Sequence, residues 1–329
     1  MILVTGGAGY IGSHVTRELI NQGYKVIVLD NLSTGHQSAV DRRAIFKLGD
    51  ISDRQLLDDL FNQYDITAVM HFAAHCLVGE SVQNPLKYYN NNVGKTTRLI
   101  QSMTKNKVNK LIFSSTCAIY GKPEQDSITE QLPKNPINPY GRSKLMIETI
   151  LNDTSKSDGL SYISLRYFNA AGAHFSGEIG EDHDPETHLI PNILRHLQGA
   201  TEEIDVYGND YDTPDGTCIR DYIHVQDLSS AHILALKHLL SQPRIGLQYN
   251  LGNGKGHSVK EVISECERIT NKKAKVNYAP RRPGDPPILV ASSSKIKKEL
   301  GWAPIYTLTD IVRSAWEWLL KHPDGYESF

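Results

Sequence analysis

Short apolar runs alternate with amphipathic stretches along the first half of the chain. Ile2–Val4, Lys25–Leu29, Ala44–Leu48, Ala68–Phe72, Lys110–Ser114 and Tyr162–Leu165 read as strands, several of them closed by Gly, Asp or Ser. Helical patterning fills the spaces between them, from Ser13 to Asn21, from Asp53, from Pro85 through Met103 and from Ser143 to Leu151. Strands that alternate with helices predict an α/β protein built on a doubly wound parallel sheet. The character changes after Asn169. Residues 170–191 are rich in Gly, Asp, Glu and His and read as a long ordered loop that opens a second, smaller α/β domain. That domain is expected to hold strands at Ile204–Tyr207, Gln248–Leu251 and Val276–Tyr278. Its helices are expected at Ile190–Leu197, from Asp227, at Ser258–Thr270 and around Trp316 and Trp318. The expected division is 1–168 and 169–329, with segments near 220–252 able to return to the first domain.

The first strand runs directly into TGGAGYIG, residues 5–12, and then into a helix. Gly6, Gly9 and Gly12 are spaced as GxxGxxG, and Gly7, Gly9 and Gly12 as GxGxxG. Between a strand and a helix, glycines let a pyrophosphate reach backbone N–H groups at the helix N-terminus. This makes the parallel sheet a Rossmann-type one. The second strand ends in Asp30, at the distance expected of an acid that accepts from the adenosine ribose hydroxyls. A carboxylate there repels a 2′-phosphate and favours NAD over NADP. The alternative for Asp30 is a helix cap before Asn31-Leu32-Ser33. Asp50 is open to two readings, contact with the adenine amino group or a cap on the helix from Asp53. Ala73 and Ala74 follow the fourth strand and let a cofactor lie close. Asn91 and Asn92 fall in a helix, where solvent exposure is the default.

The fifth strand ends in Ser114-Ser115-Thr116, hydroxyls at a position that faces the ligand crevice. A segment carrying Pro123, Pro133, Pro136 and Pro139 follows and reads as a loop that returns Tyr140 over the strand end. Tyr140 and Lys144 lie one helical turn apart on one face. An ammonium beside a phenol favours the phenolate, which equips Tyr140 to exchange a proton with a substrate hydroxyl. Composition adds exclusions. The 329 residues are 40% hydrophobic and 22% charged with net charge −2, which gives no reason to expect nucleic acid or an anionic membrane as a partner. No apolar run approaches the roughly 18 residues of a membrane helix. No leader is evident, and Cys76, Cys117, Cys218 and Cys266 form no CxxC, so free thiols and a cytoplasmic location are expected. The run EDHDPETH, residues 181–188, mixes acids and histidines without helical spacing and reads as a solvated turn with no metal.

Taken together, the chain resembles the extended short-chain dehydrogenase/reductases, and among them the sugar-nucleotide 4-epimerase branch. The resemblance is carried by TGGAGYIGSH (5–14), VLDNLS (28–33), GDISD (49–53), HFAA (71–74), VGESVQNPLKYYNNNVG (78–94) and FSSTCAIYG (113–121). It continues through PYGRSKLMIE (139–148), LRYFNAAGAH (165–174), GTCIRDYIHVQDL (216–228), YNLGNG (249–254) and PRRPGD (280–285). It implies NAD as cofactor and a UDP-sugar as substrate, with UDP-glucose and UDP-galactose interconverted by oxidation at C4, rotation of the 4-keto sugar and return of hydride. Tyr140 would be the base, Lys144 would hold the nicotinamide ribose, and Thr116 would bond the 4-oxygen. The resemblance assigns Gly6, Gly9, Tyr10, Ile11, Gly12, Asp30, Asn31, Leu32, Ser33, Thr34, Gly35, Asp50, Ile51, Phe72, Ala73, Ala74, Asn91 and Phe168 to the cofactor. It assigns Asn169, His188, Leu189, Tyr207, Arg220, Arg282, Asp285 and Leu289 to the UDP-sugar. Arg220 and Arg282 suit a diphosphate, a structural ion pair being the plainer role for either. Leu289 stands where some members carry a bulky Tyr, which leaves room for an N-acetyl group at C2.

Related 4,6-dehydratases carry an acidic pair just after the active-site hydroxyl residue. Here Thr116 is followed by Cys117-Ala118, which favours epimerisation over loss of water. A homodimer packing helices near 88–103 and 143–152 is also implied. Two other readings stand beside this one. An epimerase of a pentose or uronate UDP-sugar would share the motifs, although a uronate needs a cationic or hydroxyl-rich partner that is not assigned. A catalytically silent NAD-binding scaffold would be expected to lack Tyr140, Lys144 or Thr116, and all three are present.

Overall fold

The computed structural model describes residues 1–125, 127–282 and 285–327. Its larger sheet has seven parallel strands: β1 (Ile2–Thr5), β2 (Val26–Asp30), β3 (Ile45–Leu48), β4 (Ala68–His71), β5 (Lys110–Thr116), β7 (Ser161–Tyr167) and β11 (Gly246–Leu251). They lie in the order β11-β7-β5-β4-β1-β2-β3. The chain runs outward from β1 to β3, then crosses back to β4 on the other side of β1. This reversal opens a crevice at the carboxyl ends of β1 and β4. Side chains alternate between two cores. Leu3, Ile27, Val69 and Leu111 enter one, against α2 (Arg54–Gln63), α5 (Thr96–Lys105) and α6 (Pro139–Asp158). Ile2, Val4, Val28 and Met70 enter the other, against α1 (Tyr10–Asn21) and α8 (Val225–Ser241). Burial on both faces is why these strands read as unbroken apolar runs.

The smaller sheet follows the order β12 (Gly256–Ser258), β10 (Ile219–His224), β14 (Ile288–Ala291) and β6 (Ser127–Ile128), with β8 (Asn169–Ala171) also paired to β10. β9 (Ile204–Tyr207) and β13 (Val276–Ala279) pair separately. A third core joins α7 (Leu189–Gln198), α9 (Val259–Thr270) and α11 (Leu308–Lys321) through Ile193, Leu194, Val262 and Ile311. The connection to that core, α10 (Ser294–Leu300), is preceded by Ser293 at its N-cap position. No helix among the described residues is long and apolar enough to cross a membrane. No two of the four cysteines are joined.

Several expectations need correction. The helix read from Pro85 through Met103 is broken. After α3 (Val78–Gln83) and α4 (Pro85–Tyr88), residues Tyr89–Lys95 form a π-helical turn before α5. Asn92 faces inward there and is 2% exposed, against the expected solvated asparagine. The proline-rich loop before Tyr140 contains β6, whose Ile128 is fully buried. The run 181–188 is not a solvated turn, because the side chains of Glu181 and Glu186 are 6% and 2% exposed. Pro283 and Gly284, in the PRRPGD segment, lie outside the described residues.

Candidate active site

β1 leads into a turn that is tight because three glycines make it so. Gly6 sits at φ +75°, and a Cβ there would meet the Ala73 backbone at 2.4 Å. A Cβ on Gly12 would meet the Gly6 carbonyl at 2.1 Å. At Gly9 a Cβ would meet, among the described residues, only the Gly6 carbonyl at 3.4 Å, so that side of the turn is open. No side chain caps α1, which leaves its first N–H groups for an anion. At the end of β2 the Asp30 carboxylate accepts from Ala8 N at 2.9 Å and Leu32 N at 2.9 Å. Burial pushes its pKa up against these bonds. Each oxygen keeps a lone pair, enough for a ribose diol. Asp30 is therefore a turn anchor and a ligand-ready acceptor, not a helix cap. The open glycine turn and the acid fit a dinucleotide.

Around this point stand the other expected cofactor residues. Asn31 accepts from Ser33 N at 3.0 Å and donates to Asp50 at 2.9 Å. Asp50 also takes Lys95 at 2.6 Å and the Ser52 hydroxyl at 2.6 Å. Burial opposes its charge, but these donors outweigh it and hold the carboxyl well below the usual range. The cap of α2 is Asp53, so Asp50 is free of that role. Leu32, with φ +55°, and the exposed Ser33 and Thr34 lead to Gly35, where a Cβ would press on the Ala8 backbone. Tyr10 turns its hydroxyl to the Gly172 carbonyl at 2.6 Å and so ties the glycine turn to the loop after β8. Ile11 and Phe72 pack at the edge of one core and Ala73 at the edge of the other, where Ile51 is buried. Ala74 continues the strand end. Phe168 is buried beside Ile119 and Ala291.

α6 carries two of the three expected reactive residues, Tyr140 and Lys144, and Thr116 ends β5. Pro139 opens the helix and Asn138 caps it, accepting from Gly141 N at 2.8 Å. Such a cap is worth ~1 kcal/mol and fixes the first turn, which carries Tyr140. A Cβ at residue 141 would meet the Ala118 carbonyl at 2.5 Å. Glycine at that position lets the helix approach the turn after Thr116. Lys144 is 3% exposed and donates to the Ser114 carbonyl at 2.7 Å. Burial lowers its pKa to about 8. Burial also pushes the Tyr140 phenol well above its ordinary value, against a smaller opposing pull from the Thr116 hydroxyl. The Lys144 ammonium is 6.0 Å from the Tyr140 ring and does not reverse this. The expected depression of the phenol by Lys144 alone is therefore absent.

Two supports were not anticipated. Asn92 bonds both the backbone of His75 and the Ser143 hydroxyl, the latter at 3.1 Å, and Ser143 donates to the Tyr140 carbonyl at 2.7 Å. The π-helical turn that aims Asn92 is thus coupled to α6. The Asn91-Asn92 pair was the available signal, and Asn91 donates to Asn92 at 3.1 Å. Beneath α6, Arg166 forks onto Glu148 at 2.9 and 2.6 Å, while the Ser115 hydroxyl donates to Glu148 at 2.6 Å. Nothing in the motif spacing marks that pair.

On the far side, β10 aligns several residues expected to meet a substrate. Asn169 is the register partner of Tyr222, and Leu289 that of Arg220. Arg220 reaches Asp285 at 3.2 Å. Burial pushes the Cys117 thiol up to about 12, against the nearby Arg220 guanidinium, so this group lies close to the Thr116 end of β5. Leu289 and Cys117 border the same small core as Phe168. Arg282 stacks over the Tyr207 ring at 4.0 Å. Leu189 opens α7, and His188 before it points to Glu181 and Glu186. Burial opposes charge on His188, but these carboxylates push its pKa up to about 11.

A buried tyrosine–lysine pair at the carboxyl edge of a dinucleotide-binding sheet defines a class, the nicotinamide-dependent enzymes that act on a hydroxyl-bearing carbon. The chain belongs to the NAD dependent epimerase/dehydratase family, whose model matches residues 2–252. It is 52% identical over 328 residues to a UDP-glucose 4-epimerase of Halalkalibacterium halodurans, covering 99% of this chain and 98% of the relative. A crystal structure of a UDP-glucose 4-epimerase superposes with TM-score 0.97 at 52% identity, covering 99% of each chain. The Bifidobacterium longum UDP-glucose 4-epimerase, solved in complex with NAD+ and UDP, gives 0.94 at 42% identity over 99% of each chain.

Proposed function

We propose that the chain interconverts UDP-glucose and UDP-galactose by inverting C4 of the sugar, with NAD as resident cofactor. The observation that carries this reading is the meeting of Thr116, Tyr140 and Lys144 at the end of β5, in a chain similar along its whole length to epimerases. Bound NAD would supply the hydride acceptor and donor, and its oxidised form would bring positive charge. Gly6, Gly9, Gly12 and Asp30 are suited to hold its pyrophosphate and adenosine ribose. Tyr140 takes the proton of the 4-hydroxyl and later returns it. Its raised pKa is the reason this step needs positive charge close by, since 1.36 kcal/mol of charge stabilisation lowers a pKa by about one unit. Lys144, pinned by the Ser114 carbonyl, contributes part of that charge. Thr116 bonds the 4-oxygen and holds its orientation. Arg220 and Arg282 suit the diphosphate, Arg220 by exchanging Asp285 for phosphate oxygens.

Proton NMR of UDP-galactose with the purified chain tests the reading. UDP-glucose should appear, and Tyr140→Phe should lower kcat by about 10²–10⁴-fold. No turnover with NAD added would refute it. Leu289 extends the reading to UDP-GlcNAc and UDP-GalNAc. Leu289→Tyr should depress N-acetylated turnover by at least about tenfold while UDP-galactose turnover holds, since a steric clash discriminates where one lost methylene does not. Equal rates in both proteins would remove Leu289 from the argument. Four unjoined cysteines suit a reducing, cytoplasmic location. A homodimer also fits, and near these helices the exposed apolar side chains include Val78, Val82, Leu86 and Met146, while Leu99 and Met103 of α5 are buried. Light scattering that gives the mass of one chain would exclude the dimer.

A further inference from the structure

The loop between β8 and α7 brings together two carboxylates and two imidazoles outside the reactive triad. Glu181 Oε1 lies 3.3 Å from His183 Nδ1 and 2.9 Å from His188 Nδ1. Glu186 Oε1 lies 2.8 Å from His188 Nδ1, and its Oε2 lies 3.7 Å from His183 Nδ1. One ligand atom from each residue falls within 4.8 Å of all the others. Asp182, between them in sequence, is committed elsewhere, to His36, Arg195 and Tyr326 N. His188 precedes α7 without capping it, so its ring is free to join the cluster.

Two atoms in this group have no hydrogen-bond partner, His183 Nδ1 and Glu186 Oε2. The Glu186 side chain is 98% buried, that is 2% exposed. A buried carboxylate oxygen left unsatisfied is costly, and native folds rarely keep one without a purpose. The two orphaned atoms face each other across 3.7 Å, too far for a hydrogen bond and near the spacing of two ligands on one ion. With metal–ligand bonds of about 2.0–2.1 Å, a tetrahedron has an edge of roughly 3.3 Å. The four measured separations, from 2.8 to 3.7 Å, bracket that edge.

We propose that Glu181, His183, Glu186 and His188 form a structural site for a zinc-class divalent ion. Two imidazoles and two carboxylates match zinc, whereas calcium and magnesium want more oxygen ligands. All four positions are filled by protein, so the ion is closed to substrate and acts as a staple. It fixes the loop that leads into Leu189, and it does so beside the glycine turn, where the His183 ring packs edge-on to Tyr10 at 6.3 Å. The site thereby locks the substrate-side loop to the cofactor side of the molecule. Binding replaces whatever protons the two imidazoles carry at Nδ1 and involves no redox change.

The test uses the full chain, stripped with a chelator and dialysed against ZnCl2, with bound metal read by atomic emission. The expected result is one zinc per chain. Glu186→Gln and His183→Gln should each weaken binding by more than the roughly 10–100-fold lost on removing an outer-shell partner. His257→Gln, outside the cluster, should bind as wild type. Cobalt should give the intense visible bands of a tetrahedral site in the wild type. Thermal unfolding guards against misfolded variants, and zinc should raise Tm in the wild type and in His257→Gln only. Substoichiometric zinc in the wild type, an octahedral cobalt spectrum, or undiminished binding in Glu186→Gln with His183→Gln combined would each overturn the proposal.

Discussion

Two buried clusters of mixed charge lie in this molecule, and they are built on opposite terms. Under α6, Arg166 and Glu148 are 1% and 6% exposed, and among the described residues neither leaves a buried polar atom unpaired. The guanidinium forks onto the carboxylate and donates to the Tyr120 hydroxyl, which donates in turn to Asn250. In the loop cluster the carboxylates of Glu181 and Glu186 are comparably enclosed while the His183 and His188 rings reach the surface, yet among the described residues His183 Nδ1 and Glu186 Oε2 bond to nothing. A buried ion pair repays its desolvation only when its remaining donors and acceptors are satisfied. The first cluster meets that condition from within the chain. It fastens α6 to β5, β7 and β11, the strands whose ends frame Thr116 and Tyr140. The second meets it only with something added, and for that reason it reads as a site, not as a brace.

The contrast can be broken most severely at the satisfied cluster. In Glu148→Gln the side chain still accepts at one oxygen, but its amide turns a donor toward the Arg166 fork and leaves the guanidinium charge buried and unpaired. Breaking such a pair costs about 3–5 kcal/mol. Urea unfolding at neutral pH should show that loss. Glu148→Met with Arg166→Met should recover a large share of it, because two apolar side chains leave no orphaned charge. A single variant that loses less than about 1 kcal/mol, the range of an exposed pair, would mean that the network is solvated and does not hold the helix. The loop cluster should respond in the other direction. Its zinc-dependent stabilisation should approach about 2.7 kcal/mol at a hundred times the dissociation constant, and removing the ion should bring the wild type close to Glu186→Gln.

The same distinction separates what the sequence discloses from what it hides. The glycine turn, Asp30 and the Tyr140–Lys144 pair are legible because each is made by residues close together in the chain, with geometry set by local backbone. The strands of the larger sheet are legible because both faces are apolar. β8 and β12 are three residues each, too short for any period to register. β10 carries Arg220 and Asp221 in the middle of a strand, and only tertiary partners make that tolerable. The π-helical turn depends on Asn92 finding His75 and Ser143, contacts that no spacing rule contains. EDHDPETH shows acids and histidines plainly, but their convergence is made by packing against Tyr10 and by Trp318, which donates to the Glu181 carbonyl at 3.3 Å. Solvation was the wrong default there because the loop is covered.

Asp221 is a third buried charge, intermediate between the two clusters, and it offers a smaller and sharper test. It is fully buried, and its carboxylate accepts only from backbone N–H groups, those of Asn253, Gly254 and Ala291. Among the described residues no cation pairs with it. Burial raises its pKa to about 6, with the three N–H groups pulling the other way. In the unfolded chain an Asp titrates near ~3.9. The folded state therefore holds this proton more tightly, so the stabilising contribution is fully present below about pH 4 and is lost as pH rises to about 6. Asp221→Asn keeps an acceptor oxygen but carries no titrating proton, and it should lack that loss. The stability of the wild type relative to Asp221→Asn should fall by up to about 3 kcal/mol between pH 4 and pH 6.5 and stay level above it. Asp227, with its pKa likewise raised to about 6 by burial, is present in both proteins and cancels in the difference. Urea midpoints at four pH values across that window measure it. Parallel curves would mean that three backbone donors are enough to keep a buried carboxylate charged. The ion pair under α6 would then owe its cation to the positioning of the helix, not to the needs of its carboxylate.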